Sequence, residues 1–236
     1  CGFGCKFCAT GAIGHKRNMT ADEITDQILY FYLAGHQINS VSFMGMGEPF
    51  ANPNLFDALK ILTNPSLFGL SQRRITISTI GMIPGIKRLT RDFPQVNLAF
   101  SLHSPFEKQR SELMPINQTY PLHKVMDALD AHVANTKRRL FLAYIMLGGI
   151  NDSAEHAKAL AHLILSRGAL SYLYHVDLIP YNATDKTARK FTASNHEAIK
   201  NFSDILHSNR ISVAIRMQFG SDIGAGCGQL YADERD

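Results

Sequence analysis

The sequence predicts an α/β protein built as a partial (β/α)6 barrel of the TIM-like kind, and three observations carry that prediction. Apolar, β-branched runs recur at intervals of roughly 35 residues with helical patterns between them, the rhythm of right-handed βα units around a parallel sheet. The runs are too few for a full eight-stranded barrel. Residues of unusual chemistry fall where runs end: Gly45 to Pro49 after the first, Ser78-Thr79 after the second, Ser101-Leu102-His103 after the third, Pro180-Tyr181-Asn182 after a later one. Carboxyl ends of strands are where barrel enzymes gather their active sites, which favours a curved barrel over an open doubly wound sheet.

The elements follow in order. A cysteine loop opens the chain, and Thr20-Ala21-Asp22-Glu23 then forms a capping box, with Thr20 able to cap the first turn and Glu23 to reach back. A helix is expected from there to a stop at Gly35, since Ile24, Ile28, Phe31 and Tyr32 recur at helical spacing. Val41 to Met44 reads as a short buried strand, followed by a glycine-rich turn and a helix through Leu55, Leu59 and Leu62. Further strands are expected at Arg74 to Ser78, Val96 to Leu102, Leu140 to Met146, Leu173 to Ile179 and Ile211 to Ile215. Helices are expected near Ile86 and over Leu122 to Val133, Ala154 to Leu165 and Ser194 to Leu206. No low-complexity segment or linker interrupts the pattern, so one domain is expected over residues 1–236.

Composition narrows the class. The chain has 236 residues, 45% hydrophobic and 19% charged, enough to bury a core without crosslinks. Four cysteines, three of them clustered, are no disulfide framework and point to a reducing, cytoplasmic setting. The apolar runs are too short to span a bilayer, so no membrane association is expected. A net charge of +4 fits a polyanionic partner but also many ordinary proteins. The basic runs Lys16-Arg17, Arg73-Arg74 and Lys137-Arg138-Arg139 could meet phosphates, although solvated faces are their commoner use.

Chemistry concentrates at the start. Cys1, Cys5 and Cys8, in CGFGCKFCATG, form the pattern Cys-x3-Cys-x2-Cys. Three thiolates on one short loop can hold three corners of a 4Fe-4S cube and leave the fourth iron open to a substrate. A structural zinc knuckle is the alternative, but such sites close with four ligands, and no fourth sits at finger spacing. In FMGMGEP, Gly47 lets backbone approach a ligand, and Glu48 offers a carboxylate to a cationic group such as an ammonium. Ser78 and Ser101 could bind a ribose or a carboxylate, and Asn182 could read an adenine edge, although residues of these types often serve only turns and strand ends. Cys227, between Gly226 and Gly228, is either a small buried hydrophobe or a thiol on a mobile loop.

The succession of that triad with ATG, FMGMGEP, ISTIGMIPGI, FSLHSP with LMPIN, and IRMQFGSDI with CGQLY resembles the radical S-adenosylmethionine methyltransferases of ribosomal RNA adenine. The stretches SLHSPFEKQRSELMPIN, HVDLIPYNATDKT and RMQFGSDI resemble the Cfr branch, which methylates carbon 8, more than the housekeeping branch, which methylates carbon 2 of the same 23S rRNA base. The resemblance implies a barrel of the radical SAM type with a 4Fe-4S cluster on Cys1, Cys5 and Cys8. It implies S-adenosylmethionine against Gly47, Glu48, Ser78, Ser101, Leu102, His103 and Asn182, two molecules being used per turnover. Cys227 would carry the methyl group. The implied partners are 23S rRNA and a flavodoxin-type reductant, the implied state is a monomer, and the implied consequence is resistance to phenicols, lincosamides, oxazolidinones, pleuromutilins and streptogramin A. In relatives the first barrel strand, an RNA-binding domain and a cysteine that resolves the RNA adduct would all precede Cys1. If these residues were the whole protein, it would be expected to methylate Cys227 and then stall on the RNA.

Overall fold

The structure, a computed structural model, describes residues 1–182 and 190–217. Six strands, β1 (Val41–Phe43), β2 (Ile75–Thr79), β3 (Asn97–Ser101), β4 (Leu140–Met146), β5 (Tyr174–Pro180) and β6 (Ser212–Ile215), form one sheet in sequence order. Every neighbouring pair is parallel. Around them lie α1 (Ala9–Ile13), α2 (Ala21–Leu33), α3 (Leu55–Thr63), α4 (Ile83–Asp92), α5 (Glu107–Leu113), α6 (Leu122–Thr136), α7 (Ala154–Leu165) and α8 (His196–Ser208). The α/β partial-barrel expectation therefore holds.

Strand alternation sorts the two faces. Ile75 and Ile77 of β2, Leu98 and Phe100 of β3, Leu140, Leu142 and Tyr144 of β4, and Val176 and Leu178 of β5 are buried in one continuous core beneath the helices. Leu59, Leu62, Ile86, Leu129, Leu160 and Phe202 supply the helical side of that core, each with no exposed surface. The intervening positions, Ser78, Ala99, Ser101, Ala143 and Asp177, turn to the opposite, concave face. Register aligns Ser78 with Ala99, and Ser101 with Ala143, which in turn faces Asp177.

The sheet is curled. Arg216, just after β6, donates from Nη1 to Sδ of Met44, just after β1, at 3.6 Å. Six strands laid flat would hold those edges roughly 24 Å apart at the usual spacing between neighbours, so the contact requires a barrel-like curve at the carboxyl ends. Arg216 is steadied there by Asp177, whose Oδ2 accepts from its Nη2 at 2.7 Å.

Boundaries agree closely with the sequence pattern. The Thr20–Glu23 capping box is formed in both directions. Two short helices, α1 and α5, lie where no helix was predicted, and both turn out to border the site.

Candidate active site

The cysteine loop packs over the carboxyl ends of the strands. Cys1, Cys5 and Cys8 are free, half-buried thiols, and Cys8 sits at the N-cap of α1. The loop turns through a bond from Cys8 N–H to Cys5 C=O at 3.1 Å. Helix α1 then folds back so closely that a Cβ on Gly11 would lie 3.0 Å from that same carbonyl oxygen. From the other side, Lys6 N–H donates to Leu113 C=O of α5 at 3.0 Å. Phe3, Cys5 and Phe7 pack against a small apolar cluster that includes Leu113, Met114 and Ile116.

Three half-buried thiols on one loop, with Cys5 in an apolar wrap, are the donor set an iron-sulfur cube takes. Burial, with Cys8 adding to it, pushes the Cys5 thiol up to about 12, so a thiolate there requires a cationic partner of the kind a metal centre provides. No group of three or more His, Cys, Asp or Glu side chains among the described residues converges on a single metal-ion position.

Glu48 stands after β1, only 6% exposed. Its Oε1 accepts from the Thr79 hydroxyl at 2.7 Å and from Phe50 N–H at 3.2 Å, and its Oε2 accepts from Ile80 N–H at 2.8 Å. Burial pushes its carboxyl up to about 7, and the three donors hold it from rising further. Cys1, Gly45, Gly47 and Glu48 all line one cavity of about 870 Å³, which joins the cysteine loop to the glycine-rich turn.

The remaining predicted residues divide. Ser78 and Ser101 lie half-buried on the concave face at the strand ends, as expected of ligand-facing groups. Leu102 differs: its side chain belongs to the helix-side core with no exposed surface, so any contact it makes with a ligand must run through its backbone. His103 is buried in left-handed backbone at φ 58°, its Nδ1 accepting from Ile145 N–H at 3.0 Å. Burial pushes it down to about 3, so the ring is neutral. Asn151 Nδ2 donates to His103 C=O at 2.8 Å and to Ile145 C=O at 2.7 Å, fixing that strained corner. Asn182 is half-buried just beyond β5. Cys227 lies outside the described residues.

Sequence reasoning missed Thr79, Asn151 and Arg110. Thr79 was noticed beside Ser78 but without a role, and strand alternation is the signal that separates the two. Arg110 has no exposed surface at all. The motif LMPIN contained a signal for it, because Asn117 Oδ1 accepts from Arg110 Nη1 at 2.5 Å.

A curled parallel sheet, a three-cysteine loop over its carboxyl ends and a buried carboxylate beside that loop define a radical S-adenosylmethionine protein. The Radical SAM superfamily model matches residues 1–164. The chain is 73% identical over 234 residues to the ribosomal RNA large subunit methyltransferase Cfr of Lachnoclostridium phytofermentans, covering 99% of this chain and 68% of that one. To the protein of the same name from Staphylococcus warneri it is 56% identical, over 99% and 67% of the two chains. A crystal structure of a radical SAM methyltransferase from Sphaerobacter thermophilus superposes with a TM-score of 0.89 at 40% identity, over 97% of this chain and 67% of that one. The chain belongs to the Cfr-type family of radical SAM ribosomal RNA methyltransferases. It is accordingly a SAM-dependent methyltransferase whose substrate is ribosomal RNA, and its family uses a 4Fe-4S cluster and S-adenosylmethionine. No helix among the described residues is long and apolar enough to cross a membrane.

Proposed function

We propose that this protein methylates carbon 8 of an adenine in 23S rRNA at the peptidyl transferase centre, through a methyl group carried on Cys227. Residues 1–236 form the radical SAM core of that enzyme, which acts as a monomer, takes electrons from a flavodoxin-type donor and protects the ribosome from antibiotics that bind the same centre. The observation that carries the reading is the shared cavity: Cys1, from the cysteine loop, and Glu48, the buried carboxylate, line the same space.

Cys1, Cys5 and Cys8 hold the cluster. When bound, it supplies the electron that splits S-adenosylmethionine reductively. Glu48 receives the ammonium of that molecule, Gly47 lets backbone approach it, and Ser78, Ser101, the backbone of Leu102, the His103 corner and Asn182 complete its cradle. Glu48 suits the task because its raised carboxyl gains most from a cationic partner. Cys227 would accept a methyl group from one S-adenosylmethionine, with S-adenosylhomocysteine leaving, and would present it to the base as a thioether. A second S-adenosylmethionine would supply the hydrogen-abstracting chemistry, with methionine leaving. Adenine carbon 8 is an electrophilic amidine carbon, a poor nucleophile towards a sulfonium, so the methyl carbon on Cys227 would have to attack as a radical. The covalent adduct with RNA would lose an electron and a proton, and a thiol upstream of Cys1 would break its carbon–sulfur bond by forming a disulfide with Cys227.

The test is mass spectrometry of 23S rRNA from cells that express the chain with its natural upstream sequence, compared with cells carrying Cys227→Ala. Retention matching 8-methyladenosine, absent in the variant, is the expected result. Retention matching 2-methyladenosine would move the reaction to the other carbon, and full activity of Cys227→Ala would end the thioether mechanism.

A further inference from the structure

Arg110 is the largest fully buried side chain among the described residues, and no carboxylate among them lies within ion-pair distance. Its Nε donates to Leu102 C=O at 3.1 Å, and its Nη2 donates to Ile80 C=O at 2.8 Å and Ser101 C=O at 3.1 Å. With Asn117 on Nη1, the guanidinium is satisfied by neutral oxygens alone, and its carbon stands 4.9 Å from the centroid of the Phe100 ring. Hydrogen bonds of this kind meet its donors but do not cancel its charge, and a buried charge left without full compensation is costly. Glu107, one turn earlier on α5 and joined to Arg110 through Asn117, supplies a negative charge beyond ion-pair distance, so the guanidinium is offset only in part.

The cysteine loop packs against the same stretch of α5. Leu113, one turn along α5 from Arg110, accepts the Lys6 N–H, and Met114 N–H closes on Arg110 C=O at 2.7 Å. Cys5, Ile80, Leu113 and Met114 share one apolar cluster. A cube held by three thiolates is an anion, and reduction adds one more negative charge to it.

We propose that Arg110 is a positioning residue of the cluster site with two effects: its hydrogen bonds fix the carboxyl ends of β2 and β3, and its buried positive charge eases reduction of the cluster held by Cys1, Cys5 and Cys8. The proposal rests on that cysteine assignment. The experiment is a spectroscopically monitored redox titration of anaerobically reconstituted protein, comparing wild type with Arg110→Met, Arg110→Gln and Arg110→Lys, with iron content and apo-protein melting recorded for each.

The neutral variants are expected to disfavour reduction at least tenfold, a shift of about 59 mV to more negative potential for one electron, with Arg110→Lys between them and wild type. Should Arg110→Met not fold, Arg110→Gln keeps amide donors for the carbonyls and carries the comparison. Neutral variants that lose the cluster while Arg110→Lys keeps it would also support the charge effect. Loss in all three, or loaded neutral variants with the wild-type potential, would overturn it. A wild-type protein that binds no cluster would instead refute the cysteine assignment, an outcome distinguishable by its iron content alone.

Discussion

The rings of Phe7 and His103 meet edge to face, with centroids 4.9 Å apart and planes at 84°. One belongs to the cysteine loop and the other to the end of β3, so the contact couples the loop proposed to hold the cluster to the strand end proposed to cradle S-adenosylmethionine. Because Ile145 N–H fixes the imidazole from β4, the loop rests on a ring that cannot turn freely.

Replacing Phe7 by alanine should therefore loosen the cysteine loop without touching a thiol. Such aromatic contacts contribute about 0.5–1.5 kcal/mol beyond their burial, so iron should be lost to a chelator on the order of three- to tenfold faster. Chelator-challenge kinetics on reconstituted protein would read this directly, and an unchanged rate would mean the loop is held elsewhere.

Binding of S-adenosylmethionine should depend on pH through Glu48. Its carboxyl, raised to about 7, becomes neutral as pH falls below that value, and a neutral acid cannot pair with the ligand's ammonium. Affinity should then weaken towards tenfold per pH unit between about 7 and 5. Calorimetry across that range should show the slope in wild type and its absence, with weaker binding throughout, in Glu48→Gln.

Gly85 should not tolerate alanine. A Cβ there would stand 2.2 Å from Cγ of Phe50, two residues beyond Glu48 in the turn that carries the carboxylate. Overpacking of this sort costs about 1–3 kcal/mol, and its displacement of Phe50 should also weaken S-adenosylmethionine binding. A Gly85→Ala protein with wild-type melting and affinity would contradict the packing described here.

Acid should destabilise the fold through His132. Its Nδ1 pairs with Thr90 Oγ1 at 2.8 Å, but its buried Nε2 has no partner among the described residues. Burial, aided by Arg138, pushes this histidine down to about 4. The unfolded chain takes up the proton near 6.5 and the folded chain only near 4, so stability is intact above pH 6.5 and falls as pH drops through that window. The full loss is about 3 kcal/mol. Denaturant melts of wild type and Thr90→Val/His132→Leu between pH 7 and 4 should show a shallower acid slope in the double variant.

What the sequence made legible follows from which signals are local. The capping box of α2 and the unbroken apolar run of β4 appear in neighbouring residues, and both elements were found within one or two positions of their ends. Helix α5 was hidden because EKQRSEL has no apolar stripe; its buried face is built around a charged residue, Arg110, against the ordinary pattern. The cysteine triad was readable because its spacing is itself the signal. The partnership of Thr79 with Glu48 was not, since the two stand 31 residues apart and only strand register brings them together. Leu102 shows the opposite case: a motif residue whose side chain the fold sends to the core while its carbonyl stays at the site.

Ile80 offers its N–H to Glu48 and its C=O to Arg110. An acid and a base are thus kept apart by main chain, not by any particular side chain. Nineteen amino acids carry both of those groups, and only proline lacks the donor. The partition itself is consequently independent of which side chain stands there, even though the isoleucine side chain also packs in the small apolar cluster: swaps among apolar residues of similar size should leave it intact, and a backbone-altering change, such as an ester in place of the amide, would reveal what the main chain does.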